Sequence, residues 1–241
     1  MAAPLRFVEH LRQAGYHPRS NKHSNALCEA VLEDLVSRCP AMAVLASSDE
    51  LVYQLNHKIQ HGTSDWNVDL VIGTPSPNGD GWSGSGVMNR ATPVSVRIAL
   101  EAKAIMTEHR KAQRNRVRDI ESFHDFVHRS DSSTVAAALL VVNVSGVFRS
   151  PLRAEPSRHK SPARLVGDAI SLFRQIPLRG DAPGSQGLEA SAVIVVNHDN
   201  IDLGSSTLVE GPPAPERGDP LHYDSFIQRI CDRFTQRWGR K

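Results

Sequence analysis

Lysine, cysteine and aromatic residues are all scarce in this chain of 241 residues: six Lys, three Cys and an aromatic share of 5%. Cys28, Cys39 and Cys231 are odd in number, scattered and without CxxC spacing, which argues against a disulfide framework and a cysteine zinc site. No apolar run approaches the ~20 residues of a membrane span, and the opening MAAPLRFVEHLRQ lacks a signal peptide's apolar segment. The expectation is a soluble cytoplasmic protein. There is no internal repeat, and the excess of charge is only +2. A near-zero sum does not exclude a polyanion partner, because the distribution of charge decides that. Arginine outnumbers lysine 22 to six. Guanidinium forks match phosphate and guanine edges, although genomic base composition produces the same skew.

What is present suits a globular domain. Hydrophobic residues at 40% and charged residues at 22% exclude a disordered polymer and a coiled coil. The length allows one sizeable core without staples, and the expected organisation is a single domain over residues 1–241.

The hydrophobic pattern predicts helices over Leu5 to Ala14, ended by Gly15, and over about Asn25 to Arg38, halted before Pro40. Ser47-Ser48-Asp49 resembles a cap and predicts a third, weaker helix from Asp49 to Gln60. Val68 to Ile72 is short, apolar and β-branched, bounded by Gly73 and Pro75, and reads as a buried strand. Val94 to Lys103 alternates as a strand does. The glycine-rich stretch between these strands is too long for a tight hairpin. A long helix follows over about Met106 to His128. Val135 to Val144 then reads as a central strand covered on both faces, Ser161-Pro162 opens a helix to about Ile176, and Ala190 to Asn197 is another buried strand. GPPAPERGDP is a stiff linker before a closing helix, about Leu221 to Trp238. Strands separated by helices predict an α/β fold, a mixed central sheet flanked by helices.

The informative residues are acidic. Asp69 lies on one predicted strand, and Glu101 and Lys103 sit two apart on the next, leaving from the same face. A carboxylate on each of two adjacent strands grips a hard cation through oxygens and leaves positions for water and phosphate. Such a cation neutralises charge on the phosphate and acidifies bound water, and an ammonium beside that water orients it. Of the six lysines, only Lys103 has an acid two positions earlier.

The pattern NVDLVIG at 67–73, IALEAKA at 98–104, then a helix, then VAAALLVVNV at 135–144 resembles the PD-(D/E)xK nucleases, the restriction-endonuclease-like superfamily. Val68 stands where that motif carries proline. The resemblance covers about residues 25–145. It implies a restriction-endonuclease-like core, Mg²⁺ held by Asp69 and Glu101, and a water positioned by Lys103. Many members add a glutamate from a preceding helix. Glu29 and Glu33 are the candidates, with Glu29 preferred because Leu32 and Val36 then supply core contacts. The implied activity is sequence-specific cleavage of double-stranded DNA by a homodimeric type II restriction enzyme. The alternatives are a modification-dependent or repair nuclease of the same fold and a catalytically silent DNA-binding module.

Arg110, Arg114 and Arg118 at i, i+4, i+8, with Lys111 and Arg116 alongside, offer a cationic face for the DNA backbone. Trp82 and Arg90 in or beside the glycine-rich loop are candidates to reach a groove. His124 and His128 imitate a zinc-binding helix, but Asp125 occupies the base position and no third ligand is evident. The glycine run lacks the Lys-Ser/Thr of a phosphate loop.

Overall fold

A computed structural model describes residues 1–77, 86–107, 109–180 and 184–239, without the side chains of His109 and Lys111. The elements in chain order are α1 (Ala3–Ala14), α2 (Lys22–Arg38), α3 (Pro40–Ser47), β1 (Val52–His61), β2 (Ser64–Thr74), β3 (Asn89–Arg90) and β4 (Ser95–Ile105). They continue with α4 (His109–Ser130), β5 (Val135–Asn143), β6 (Val147–Phe148), β7 (Ser157–Arg158), α5 (Pro162–Phe173), β8 (Ala190–Asn197), β9 (Thr207–Leu208) and α6 (Tyr223–Trp238).

Seven strands form one mixed sheet in the order β3-β1-β2-β4-β5-β8-β9, with helices on both faces. β1, β2 and β4 pair antiparallel, while β4, β5 and β8 run parallel through the crossover helices α4 and α5. The nine residues of β5 are all buried because alternate side chains serve two cores. Ala137, Leu139 and Val141 pack with α1, α2, α3 and α6. Ala136, Ala138, Leu140 and Val142 pack with Ile120, Phe123 and Val127 of α4 and Val166 and Phe173 of α5. The antiparallel join of β2 to β4 carries a bulge at Ile72/Gly73. A Cβ on Gly73 would stand 1.8 Å from the Ser95 carbonyl oxygen, so the strands approach this closely only because the residue is glycine.

Two sequence expectations are corrected. Residues 52–61 form a strand, not the helix expected over Asp49 to Gln60. The hydroxyls of Ser47 and Ser48 donate to the Val44 carbonyl, so this polar cluster closes α3 instead of opening a helix. Asp49 then turns the chain at φ 57°. Leu55 and Ile59, four residues apart on this strand, serve opposite cores. Cys39 and Cys231, although scattered in sequence, form a disulfide with Cα atoms 5.3 Å apart. It ties the α2–α3 joint to α6. The same face is held by buried Asp34, which accepts from the Ala3 N–H and the Tyr223 hydroxyl, each at 2.8 Å, and from Arg6 at 2.6 Å. Burial beside the Asp34 carboxylate pushes the Tyr223 phenol well above its ordinary range.

Candidate active site

The ladder between β2 and β4 runs from Thr74↔Ser95 to Leu70↔Leu100 and stops there. Beyond that point β2 stays with β1, and β4 continues with β5 from Glu101↔Ala138 to Ile105↔Val142. Asp69 and Glu101 are therefore the first residues past the parting of the two strands. In place of a ladder bond, Asp69 Oδ2 accepts from the Ala102 N–H at 2.8 Å.

The strand is irregular at this position. Leu70 faces the α2 core and Val68, two residues away, packs in the α4 core, so the alternation of β2 breaks at Asp69. Its counterpart on β1 is Asn56, between the pairs Leu55↔Leu70 and His57↔Val68, and it has φ 52°. Asparagine tolerates this left-handed conformation better than most residues. Asn56 donates to the Asn25 side chain at 2.9 Å and accepts from Asn21 at 3.3 Å, which pins the kink to α2.

Glu101 is 1% exposed. Its Oε1 accepts from the Lys103 ammonium, and its Oε2 is buried with no hydrogen-bond partner. Burial and the neighbouring Asp69 charge push the Glu101 carboxyl up to about 7, against the pull of Lys103 and of the Trp66 indole N–H. Burial also raises Asp69, opposed by the Ala102 N–H, by Lys103 and by Ser24. A buried and a half-buried carboxyl that resist joint ionisation, with one ammonium beside them, form an acidic site. The unpartnered oxygen suits a hard cation. Among the described residues, no group of three or more His, Cys, Asp and Glu side chains is placed to hold a metal ion. Mg²⁺ commonly keeps waters and phosphate oxygens at its remaining positions.

Comparison with known proteins gives no match. No family model, no curated protein and no solved structure resembles the chain significantly. The geometry carries the functional argument alone.

Asp69, Glu101 and Lys103 are thus brought together, and Glu29, Glu33, Arg90, Arg110, Arg114 and Arg118 stand apart from them. Glu29 is exposed on α2, well round the helix from Ser24 and Leu27, which line the cavity beside Asp69. Glu33 is paired with Arg6. Arg110 and Arg114 line a separate cavity of about 520 Å³ against Asp168 and Leu172 of α5 and Gln175 just after it. Arg118 is exposed, and so is Arg90 at the end of β3, two strands from β2. Trp82 and the Lys111 side chain lie outside the described residues. The histidine pair is structural in one half: His128 bonds to Glu189 at 3.1 Å, within a buried cluster with Arg179 and Arg237.

The sequence pattern placed Arg116 only alongside the arginine run and did not point to Tyr16 or Ser24 as walls of the site. A cavity of about 190 Å³ beside Asp69 and Lys103 is lined by Tyr16, Ser24 and Arg116 among others. Arg116 was legible as the cation four residues before buried Ile120 and four after the partly buried Ala112, on the helix face turned to the sheet.

Proposed function

We propose that the chain is a metal-dependent endonuclease that hydrolyses phosphodiesters of double-stranded DNA, built on a restriction-endonuclease-like core. The observation that carries this reading is the meeting of Asp69, Glu101 and Lys103 where β2 and β4 part, with one Glu101 oxygen left unpartnered. The order of elements supports it: acidic strand, Glu-x-Lys strand, crossover helix, then a parallel buried strand.

Asp69 and Glu101 would hold Mg²⁺, which when bound neutralises charge on the phosphate and lowers the pKa of its water. The Lys103 ammonium, fixed by Glu101 Oε1, orients a water for in-line attack on phosphorus. The water oxygen forms the new P–O bond and gives up one proton to solvent as the P–O3′ bond breaks, and the 3′ oxygen takes up a proton in turn. The products are a 5′-phosphate and a 3′-hydroxyl. One such site cuts one strand, so a homodimer with two-fold symmetry accounts for a double-strand break at a palindromic target.

The test is incubation of purified protein with phage DNA and Mg²⁺ or chelator. Discrete fragments in Mg²⁺ alone are expected, and neither Glu101→Ala nor Lys103→Ala should yield them. Absence of cutting with every divalent cation, or undiminished cutting by both variants, refutes the reading.

A further inference from the structure

The cavity beside Asp69 and Lys103 continues into a second, of about 270 Å³, and the two share Tyr16, Pro18, Ala104 and Arg116. The second is floored by Met106, Thr107 and Phe148. None of its described lining residues is acidic. Two polar groups in its lining are buried without hydrogen-bond partners, the Arg116 Nε and the Thr107 Oγ1. An orphaned buried donor costs free energy until an acceptor arrives. The Arg116 side chain is 40% exposed, and its one described ion pair is Nη1 to Asp119 Oδ2 at 3.2 Å. The guanidinium therefore keeps donors for a ligand while Asp119 steadies one corner of it. Burial holds the Tyr16 phenol above its ordinary range, with Arg116 opposing, so the wall between the cavities presents a neutral hydroxyl and a fixed cation.

We propose that this second cavity is a phosphodiester subsite, in which Arg116 and Thr107 hold the backbone phosphate next to the one addressed by Asp69, Glu101 and Lys103. The assignment rests on the nuclease reading for the nature of its ligand. It departs from the arginine run that the sequence suggested: Arg114 and Arg118 each stand roughly 160° around α4 from Arg116, at 3.6 residues per turn. A fork of N–H donors matches phosphate oxygens, whereas a lysine would supply only a point charge.

The test measures binding of a labelled duplex in chelator, where hydrolysis does not interfere, across a salt series. Arg116→Ala should weaken binding on the order of tenfold and reduce the slope of log K against log salt by about 1. Arg116→Lys should retain most of the slope with weaker binding, Thr107→Val should bind several-fold more weakly, and Arg164→Ala, on the exposed face of α5, should match the parent. If Arg116→Ala does not fold, the Lys and Val variants decide; parental binding by both overturns the subsite. An unchanged slope in a folded Arg116→Ala, or the loss appearing in Arg114→Ala instead, also overturns it. A parent that binds and shows the Arg116 effect yet never cuts in Mg²⁺ supports the subsite and refutes hydrolysis. One that cuts with no Arg116 effect refutes the subsite alone, and no binding by the parent refutes both.

Discussion

Replacing Glu101 with Gln should end cleavage while making the metal-free protein more stable at alkaline pH. The parent buries a carboxyl whose folded value is about 7 against an ordinary 4.5. Between those limits the folded chain keeps a proton that the unfolded chain has released. Stability is therefore present at low pH and lost as pH rises through that window. At about 1.4 kcal/mol per pH unit, the gap sets an upper bound of about 3 kcal/mol. Gln removes this burden together with the repulsion on Asp69. It also deprives the Lys103 ammonium, 21% exposed, of its partner, which returns part of the gain. The net expectation is about 1–2 kcal/mol in favour of the variant near pH 8, shrinking towards zero near pH 4.5. Urea unfolding in chelator at both pH values measures it. Added Mg²⁺ should raise the stability of the parent and leave Glu101→Gln unmoved, because an ion that binds only the native state stabilises it by mass action. A variant less stable than the parent at both pH values, or equally stabilised by Mg²⁺, refutes the reasoning.

Lys103→Ala should lower the cleavage rate by about 10²–10⁴-fold, measured by single-turnover digestion, with the circular-dichroism spectrum unchanged. Glu189 accepts from the Ala136 N–H, His128, Arg179 and Arg237. Burial opposes its ionisation, but the bonds from His128 and Arg237 and its other partners outweigh that and hold the carboxyl at about 2. Its contribution is present above the ordinary 4.5 and lost as pH falls towards 2. Glu189→Ala should cost about 3–5 kcal/mol in denaturant unfolding at neutral pH, since it strands two partly buried guanidiniums. Cys39→Ser should remove up to about 5 kcal/mol, the chain-entropy value for a loop of this length, and an equal melting temperature with and without reductant in the parent would contradict that.

The sheet was legible where apolar runs are continuous. Val135–Asn143 and Ala190–Asn197 have no other place than a doubly covered centre, and α4, α5 and α6 carry plain amphipathic stripes. The β1 segment was not, because Ser47-Ser48-Asp49 ends one helix with the chemistry that starts another. The kink at Asn56 that makes Leu55 and Ile59 serve opposite faces depends on pairing with β2. The disulfide was hidden for a similar reason: its cysteines are 192 positions apart and meet only through the packing of α6 on α2 and α3. At the site, Asp69, Glu101 and Lys103 were legible from their places on neighbouring predicted strands together with the motif they resemble, whereas the break in alternation at Asp69 was not. Glu29 could not be judged, because the facing of α2 is set by Leu27, Val31 and Leu35 against the sheet. The regular arginine run drew attention to the side of α4 away from the acids. Arg116, out of step with that run, lines the cavity.

The central claim is that Asp69 and Glu101 converge on one divalent ion. Crystals grown with Mn²⁺ and measured at its absorption edge test this most directly. The account predicts an anomalous peak within coordination distance of both carboxylates, with Lys103 beside it, and no peak there in Glu101→Gln. A parent crystal with no such peak, and with the Asp69 carboxylate turned away from Glu101, contradicts it.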